Sequence, residues 1–191
     1  MPTSQSHPLL IDTVSIPGGG ILGMTAAPGI KRQSVFGEDQ SRDLATDIAA
    51  IKKWGAVLVI SLIEEHEFQI LGINELENEV NNAGIKWLHL PIKDFSIPDV
   101  RFEEHWKQSV NTIYRYLDQG EKVLVHCRGG LGRTGLLVAR LLMAYGASSD
   151  EAISKVREAR TGAIETKEQE DYLRSMPSAN HLISTQEGKF E

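Results

Sequence analysis

Between Lys122 and Gly146 a short apolar run, Lys-Val-Leu-Val, passes into His126-Cys-Arg-Gly-Gly-Leu-Gly-Arg-Thr-Gly135 and then into an apolar helical pattern that stops at Gly146. A buried strand, a glycine-rich turn and a helix in that order leave little freedom. The turn's N–H groups converge on one point, and the helix N-terminus adds partial positive charge, so the turn is predicted to hold an anion, above all a phosphate. A nucleotide-type P-loop does not fit, because no lysine stands where the Gly-Lys-Ser/Thr ending requires one.

Cys127 stands at the mouth of this turn. The donors that hold a phosphate dianion also favour thiolate over thiol, which makes Cys127 a candidate nucleophile. Arg128, Gly129, Gly130, Leu131 and Gly132 supply the N–H groups of the candidate phosphate cradle, and the glycines let backbone approach the ligand without a Cβ in the way. Arg133, six positions after Cys127, is placed to return a planar fork to two phosphoryl oxygens. Thr134 is placed to donate its hydroxyl to the sulfur, and His126 to orient the loop. The competing reading is a core cysteine before a turn that happens to be rich in glycine. The strand before, the helix after and the adjoining Thr134 argue against it.

The rest of the chain supplies a scaffold for such a loop. Residues 8 to 25 read as two short strands around Gly18-Gly19-Gly20, a small extension at the amino end, followed by a turn at Pro28-Gly29. A helix is predicted from Ser41 to Trp54, with Leu44, Ile48, Ile51 and Trp54 on one face and Gly55 as its stop. Ala56 to Ser61 is a buried-type strand. Helical periodicity runs from Glu64 to Ala83 with a break near Gly72, and Ile85 to Leu90 is the next strand. After a loop from Pro91 to Val100, a helix carries Phe102, Trp106, Val110, Ile113 and Leu117 on one face and stops at Gly120. Ser148 and Glu151 form a capping box for a helix to about Arg160, and Lys167 to Met176 is a last amphipathic helix. Alternating strands and helices predict an α/β fold, a mostly parallel sheet flanked by helices on both faces. One domain over 1–176 and a frayed tail over 177–191 complete the expectation.

The chain has 191 residues and a formal net charge of -6, which gives no overall attraction to nucleic acid or anionic membrane. No apolar run approaches the roughly 18 to 20 residues that span a bilayer, and the amino end fits neither a signal nor a transit peptide. A cytoplasmic protein without membrane insertion is expected. The single cysteine excludes an internal disulfide framework and a multi-cysteine zinc site, so no metal or cofactor is expected, and no oligomer is implied.

The loop 126–135, together with Leu22-Gly-Met-Thr-Ala-Ala-Pro-Gly29, Pro91-Ile-Lys-Asp-Phe-Ser-Ile-Pro-Asp99 and Gly162-Ala-Ile-Glu-Thr-Lys-Glu-Gln169, resembles the protein tyrosine phosphatase superfamily. Within it the dual-specificity branch, and there the cyclin-dependent-kinase-associated phosphatases, is the nearest likeness. The resemblance implies a cysteinyl-phosphate mechanism on phosphotyrosine, and on phosphoserine or phosphothreonine, in protein substrates. Asp94 matches the family's general acid, on a loop where a movable acid belongs. Asp99 is the alternative acid, although after Pro98 it also reads as an N-cap. Gln169 matches a position that helps orient the hydrolytic water, against the plainer reading of an exposed helical glutamine. Glu165 departs from the glutamine expected there. Lys93 and Arg128 are rim cations or ordinary surface charges. A phosphoinositide phosphatase and a catalytically silent phosphoprotein-binding module remain alternatives. Leu131, where a second basic residue would assist a polyphosphate, counts against the first. A low-molecular-weight phosphatase or arsenate reductase would place the acid after the cysteine loop, and a sulfurtransferase is a weaker option.

Overall fold

The computed structural model describes residues 3–32 and 40–177. Along the chain these form β1 (Asp12–Ser15), β2 (Ile21–Thr25), β3 (Lys31–Arg32), β4 (Gln40–Ser41), α1 (Leu44–Trp54), β5 (Ala56–Ser61), α2 (Glu65–Ile70) and α3 (Leu76–Asn82). There follow β6 (Lys86–His89), α4 (Val100–Asp118), β7 (Lys122–His126), α5 (Gly132–Ala144), α6 (Ser149–Ala159) and α7 (Lys167–Ser175). The tail expected after Met176 lies, from residue 178 onward, outside the described residues.

Local chemistry accounts for the element ends. Asp43 accepts the Thr46 N–H at 2.8 Å to open α1, and Gly55, at φ 94°, closes it. Ser148 and Glu151 form the predicted capping box of α6. Asp99 accepts the Phe102 N–H at 2.9 Å, so α4 starts at Val100. The α5 helix begins at Gly132, earlier than its apolar pattern suggests, because the Gly135 N–H already bonds Leu131 O at 2.8 Å. The short antiparallel pair β3 and β4 went unpredicted. Two residues per strand are too few to show an alternating pattern.

The main sheet has the order β1-β2-β7-β5-β6, with β1 antiparallel to β2 and the other neighbours parallel. The amino-terminal strands are therefore more than an edge extension, since β2 lies inside the sheet between β1 and β7. Helices α4 and α5 pack on the central strands and α1 on β5. That covering is why the parallel strands are apolar on both faces. Leu58, Val59 and Ile60 of β5 and Val123, Leu124 and Val125 of β7 are all fully buried.

Register decides where a site forms. Thr25 of β2 and Ser61 of β5 both align with His126 of β7, so three parallel strands end level. The loops that follow them converge at one place, the carboxyl edge of the sheet, where open α/β sheets bind ligands. They are also tied together. Ala27 donates its N–H to Arg128 O at 3.1 Å and Leu62 to His126 O at 3.0 Å. A part-buried ion pair steadies the first loop: Asp47 of α1 accepts from Gly29 N at 2.8 Å and from Arg42 through Nε and Nη2.

Within the loop after β7, Gly130 has φ 71°, and a Cβ there would lie 2.3 Å from Thr25 O, a backbone atom at the end of β2. Gly129 has open space around it. Gly130→Ala is expected to destabilise the fold by about 1 to 3 kcal/mol, while Gly129→Ala changes stability little. Urea unfolding of the two variants checks this, and a Gly130→Ala protein as stable as the parent would refute the close packing.

Candidate active site

Cys127 is the first residue after β7 and is 3% exposed. It sits beneath the level ends of the strands with the α5 N-terminus just beyond it. His126, the last strand residue, is fully buried, and its protonation is dictated by neighbours. Trp87 of β6 donates its indole N–H to Ser61 Oγ at 2.8 Å. Indole nitrogen only donates, so the Ser61 hydroxyl proton is left for His126 Nε2, at 2.6 Å. The imidazole proton then resides on Nδ1, 3.2 Å from the carbonyl oxygen of Cys127. Burial, reinforced by the nearby Arg133 charge, lowers the His126 pKa to about 4 against a hydrogen bond to Cys127 that favours protonation. His126 is thus a neutral orienting group.

The guanidinium of Arg133 is 1% exposed and is held by a residue that sequence reasoning missed. Glu67, in the first turn of α2, accepts from Arg133 Nη1 at 2.5 Å and from Nη2 at 3.0 Å, while its Oε2 also takes the Glu64 N–H at 2.8 Å. Burial by itself would push the Glu67 carboxyl up, but the hydrogen bonds from Arg133 and Glu64 and the Arg133 charge hold it below its ordinary value. Arg133 Nη1 also donates to Ile92 O at 3.2 Å. This pairing fixes the plane of the fork and leaves Nε without a partner. Arg133 Nε, Thr134 Oγ1 and Arg160 Nε are the buried side-chain polar atoms without a hydrogen-bond partner among the described residues. Two of them flank the loop's end. The bond from Thr134 to the Cys127 sulfur that the sequence suggests is not formed here. Arg160 also abuts the loop, donating to Gly129 O at 3.1 Å and to Asp12 at 2.6 Å.

The N–H groups of Arg128, Gly129, Gly130 and Leu131 donate to no acceptor among the described residues, as a cradle for an oxyanion requires. Gly132 differs, since its N–H donates to Glu165 Oε2 at 2.8 Å. Arg128 and Leu131 are half-buried and Lys93 is exposed. Asp94 Oδ1 lies 2.9 Å from Arg133 Nη2. Asp99, by contrast, is occupied with capping α4 and pairing with Arg101. The Phe102 N–H foremost, aided by Arg101, holds the Asp99 carboxyl below its ordinary value against slight desolvation.

Gln169 is fully buried, which overturns the exposed reading. Its Oε1 accepts from Glu165 N at 3.0 Å and its Nε2 donates to Ser96 O at 3.2 Å, tying the segment before α7 to the loop that carries Asp94. Phe95 and Ile164 are the non-glycine residues with left-handed backbone, at φ 57° and 59°, among the described residues. Such placement costs on the order of 1 to 3 kcal/mol each and concentrates at functional sites. Each adjoins an acidic residue, Asp94 or Glu165, whose carboxylate reaches the loop. Among the described residues no cluster of His, Cys, Asp and Glu could hold a metal ion, and no helix is long and apolar enough to cross a membrane.

A family model described as dual specificity phosphatase, catalytic domain, matches residues 45–178. Over 168 residues the chain is 31% identical to the Homo sapiens protein named cyclin-dependent kinase inhibitor 3, a match covering 85% of this chain and 76% of the relative. It is 32% identical over 125 residues to the Mus musculus protein tyrosine phosphatase type IVA 3, covering 65% of this chain and 67% of the relative. A crystal structure of kinase associated phosphatase, with serine in place of the catalytic-site cysteine, is similar at a TM-score of 0.77 and 26% identity, covering 96% of this chain and 98% of that one.

The neutral His126 has a consequence for stability. An unfolded chain takes up a proton at the ordinary value of 6.5, whereas the buried ring does so only near 4. Its contribution is therefore complete above 6.5, is lost as pH falls toward 4, and amounts to on the order of 3 kcal/mol. The Glu67 pairing is lost in the same direction but only below 4.5. Urea unfolding between these limits is expected to show a falling midpoint that flattens in His126→Asn. An equal slope in both proteins would contradict a buried neutral histidine.

Proposed function

Because this chain belongs to the dual-specificity phosphatase family and is a cysteine-dependent protein phosphatase, we propose that Cys127 is its nucleophile, Arg133 its phosphate clamp and Asp94 its general acid. In the first step the Cys127 thiolate attacks phosphorus, the bond to the leaving oxygen breaks, and Asp94 gives that oxygen its proton. In the second, water attacks the cysteinyl phosphate, Asp94 takes the water's proton, and the S–P bond breaks to release inorganic phosphate and restore the thiolate. Substrates are phosphorylated proteins, with phosphotyrosine and phosphoserine or phosphothreonine as the target residues.

The observation that carries this reading is the Arg133 fork, fixed in plane by Glu67 with Nε unpartnered and buried at the end of the loop that Cys127 opens. A phosphoryl group seated on the N–H groups of 128 to 131 meets Nε directly and competes with Asp94 for Nη2. That competition releases Asp94 toward the leaving oxygen. Thr134 Oγ1 is free to donate to the sulfur as the thiolate departs from phosphorus in the second step. Gln169, with both ends of its amide engaged, acts in this reading as a tie between the acid loop and the Glu165 segment. His126 sets the loop's geometry without transferring a proton.

The assignment is tested by comparing leaving groups. Cys127→Ser is expected to abolish turnover of phosphopeptides and aryl phosphates alike. Asp94→Ala should lower the rate about 10²- to 10⁴-fold for poor leaving groups and much less for activated aryl phosphates. Asp99→Ala should cost about 1 kcal/mol of stability through the lost cap and leave the leaving-group dependence unchanged. The acid assignment is reversed if Asp99→Ala, and not Asp94→Ala, produces the leaving-group effect.

A further inference from the structure

Among the described residues, Glu165 is the one whose side chain occupies a donor of the phosphate loop, through Oε2 on the Gly132 N–H at 2.8 Å. The chain is built to put it there. Ile164, 1% exposed, holds left-handed backbone at φ 59°. Arg157 fastens the carbonyls of Ala163 and Ile164 at 3.0 and 2.8 Å, and buried Gln169 holds Glu165 N. The carboxylate itself is on an exposed residue, so a group arriving with the substrate can meet it.

The charges around the loop are unbalanced. Arg128 and Arg133 are the cations within it, and three carboxylates reach Arg133 or its neighbour Gly132: Glu67 and Asp94 on Arg133, and Glu165 on the Gly132 N–H. Glu67 is spent orienting the arginine and Asp94 serves the leaving group. Glu165 has no such task in the reaction. The adjoining groove of about 380 Å³ holds both signs, with Glu64, Glu65 and Asp99 beside Lys93 and Arg101, and so gives no clear preference by itself.

We propose that Glu165 is a specificity-determining residue that reads the charge next to the phosphorylated residue, favouring a cationic neighbour and disfavouring an acidic or second phosphorylated one. The proposal rests on the phosphatase assignment above and deepens it to a substrate class, phosphoprotein segments with a basic residue flanking the target. Unit charges about 6 Å apart in a partly hydrated site, at an effective dielectric constant of about 40, interact by an amount equivalent to about tenfold in an equilibrium or rate ratio.

Three phosphotyrosyl peptides that differ only in having Arg, Ala or Glu beside the phosphotyrosine provide the test. Wild-type kcat/KM should fall in that order, with about tenfold or more between the ends. Glu165→Gln keeps an acceptor for the Gly132 N–H and should shrink the Arg-to-Glu ratio to about threefold or less, and Glu165→Lys should invert it. Because the readout is a ratio, it holds whatever the absolute rate of each variant. The wild-type preference should also shrink as salt rises from about 0.05 to about 0.5 M, a measurement that needs no variant. A ratio unchanged in Glu165→Gln, or one insensitive to salt, overturns the proposal. Fluorescence-anisotropy binding to the Cys127→Ser trap should follow the same peptide order. Absence of wild-type turnover would defeat the phosphatase assignment, while the trap's binding order would still report on Glu165.

Discussion

The candidate site depends on one buried contact, the two-point pairing of Arg133 with Glu67. A guanidinium 1% exposed cannot stand alone in a low-dielectric interior, since removing one partner of a buried pair costs about 3 to 5 kcal/mol. The same contact chooses the orientation of the fork. With Nη1 and Nη2 committed to Glu67, the plane of the guanidinium is set and Nε is left buried without a partner. Pairing is also a poor source of net stability, because two apolar residues would fill the space as well. In the proposed reaction its value lies in having the donors already aimed before a phosphate arrives, which is how fixed dipoles and charges stabilise developing charge most effectively.

That contact in turn depends on the sheet. The level ends of β2, β7 and β5 bring the segments after Thr25, His126 and Ser61 to one edge, and α2 starts from the third of them. Glu67 therefore reaches Arg133 across 66 residues of sequence. The ladder also continues past its formal ends. Leu90 and Ile92 bond to the carbonyls of Ser61 and Leu62, which carries the chain to the point where Ile92 O meets Arg133 and Asp94 follows two residues later. Beneath the loop, the chain of donors from Trp87 through Ser61 to His126 fixes the tautomer of the last strand residue, which burial keeps neutral. The loop is thus supported from below by neutral hydrogen bonds and from the side by an ion pair.

Much of this was legible in the residues. The strand–loop–helix signature around Cys127, the buried runs of β5 and β7, the amphipathic faces of α1 and α4, the capping box of α6 and the capping role open to Asp99 all rest on neighbours within a few positions. Each was found where its pattern lies. The parts that were not legible share a different property. Glu67 reads as one more acid in a charged helix start, Asp47 as a polar residue on an amphipathic helix, and Ser61 and Trp87 as ordinary strand residues. Gln169 reads as surface. A buried arginine does demand a carboxylate partner, and the acidic run Glu64 to Glu67 directly after a central strand was the available signal. Several acids competed for the role, however, and spacing along the chain did not rank them.

The sequence by itself determined the chemistry on offer, because a cysteine, a cradle of N–H groups and an arginine lie within one short loop whose geometry follows from local backbone preferences. It also determined the alternation of strands and helices that makes such a loop possible, since the periods of two and 3.6 residues are written in neighbouring positions. Tertiary structure alone decided which carboxylate orients the arginine, which reaches it from the loop after β6 and which sits on the Gly132 N–H. Those choices are made by parallel strand register and by two residues held in left-handed backbone, Phe95 and Ile164. Both depend on contacts between segments distant in sequence, and no local preference encodes them.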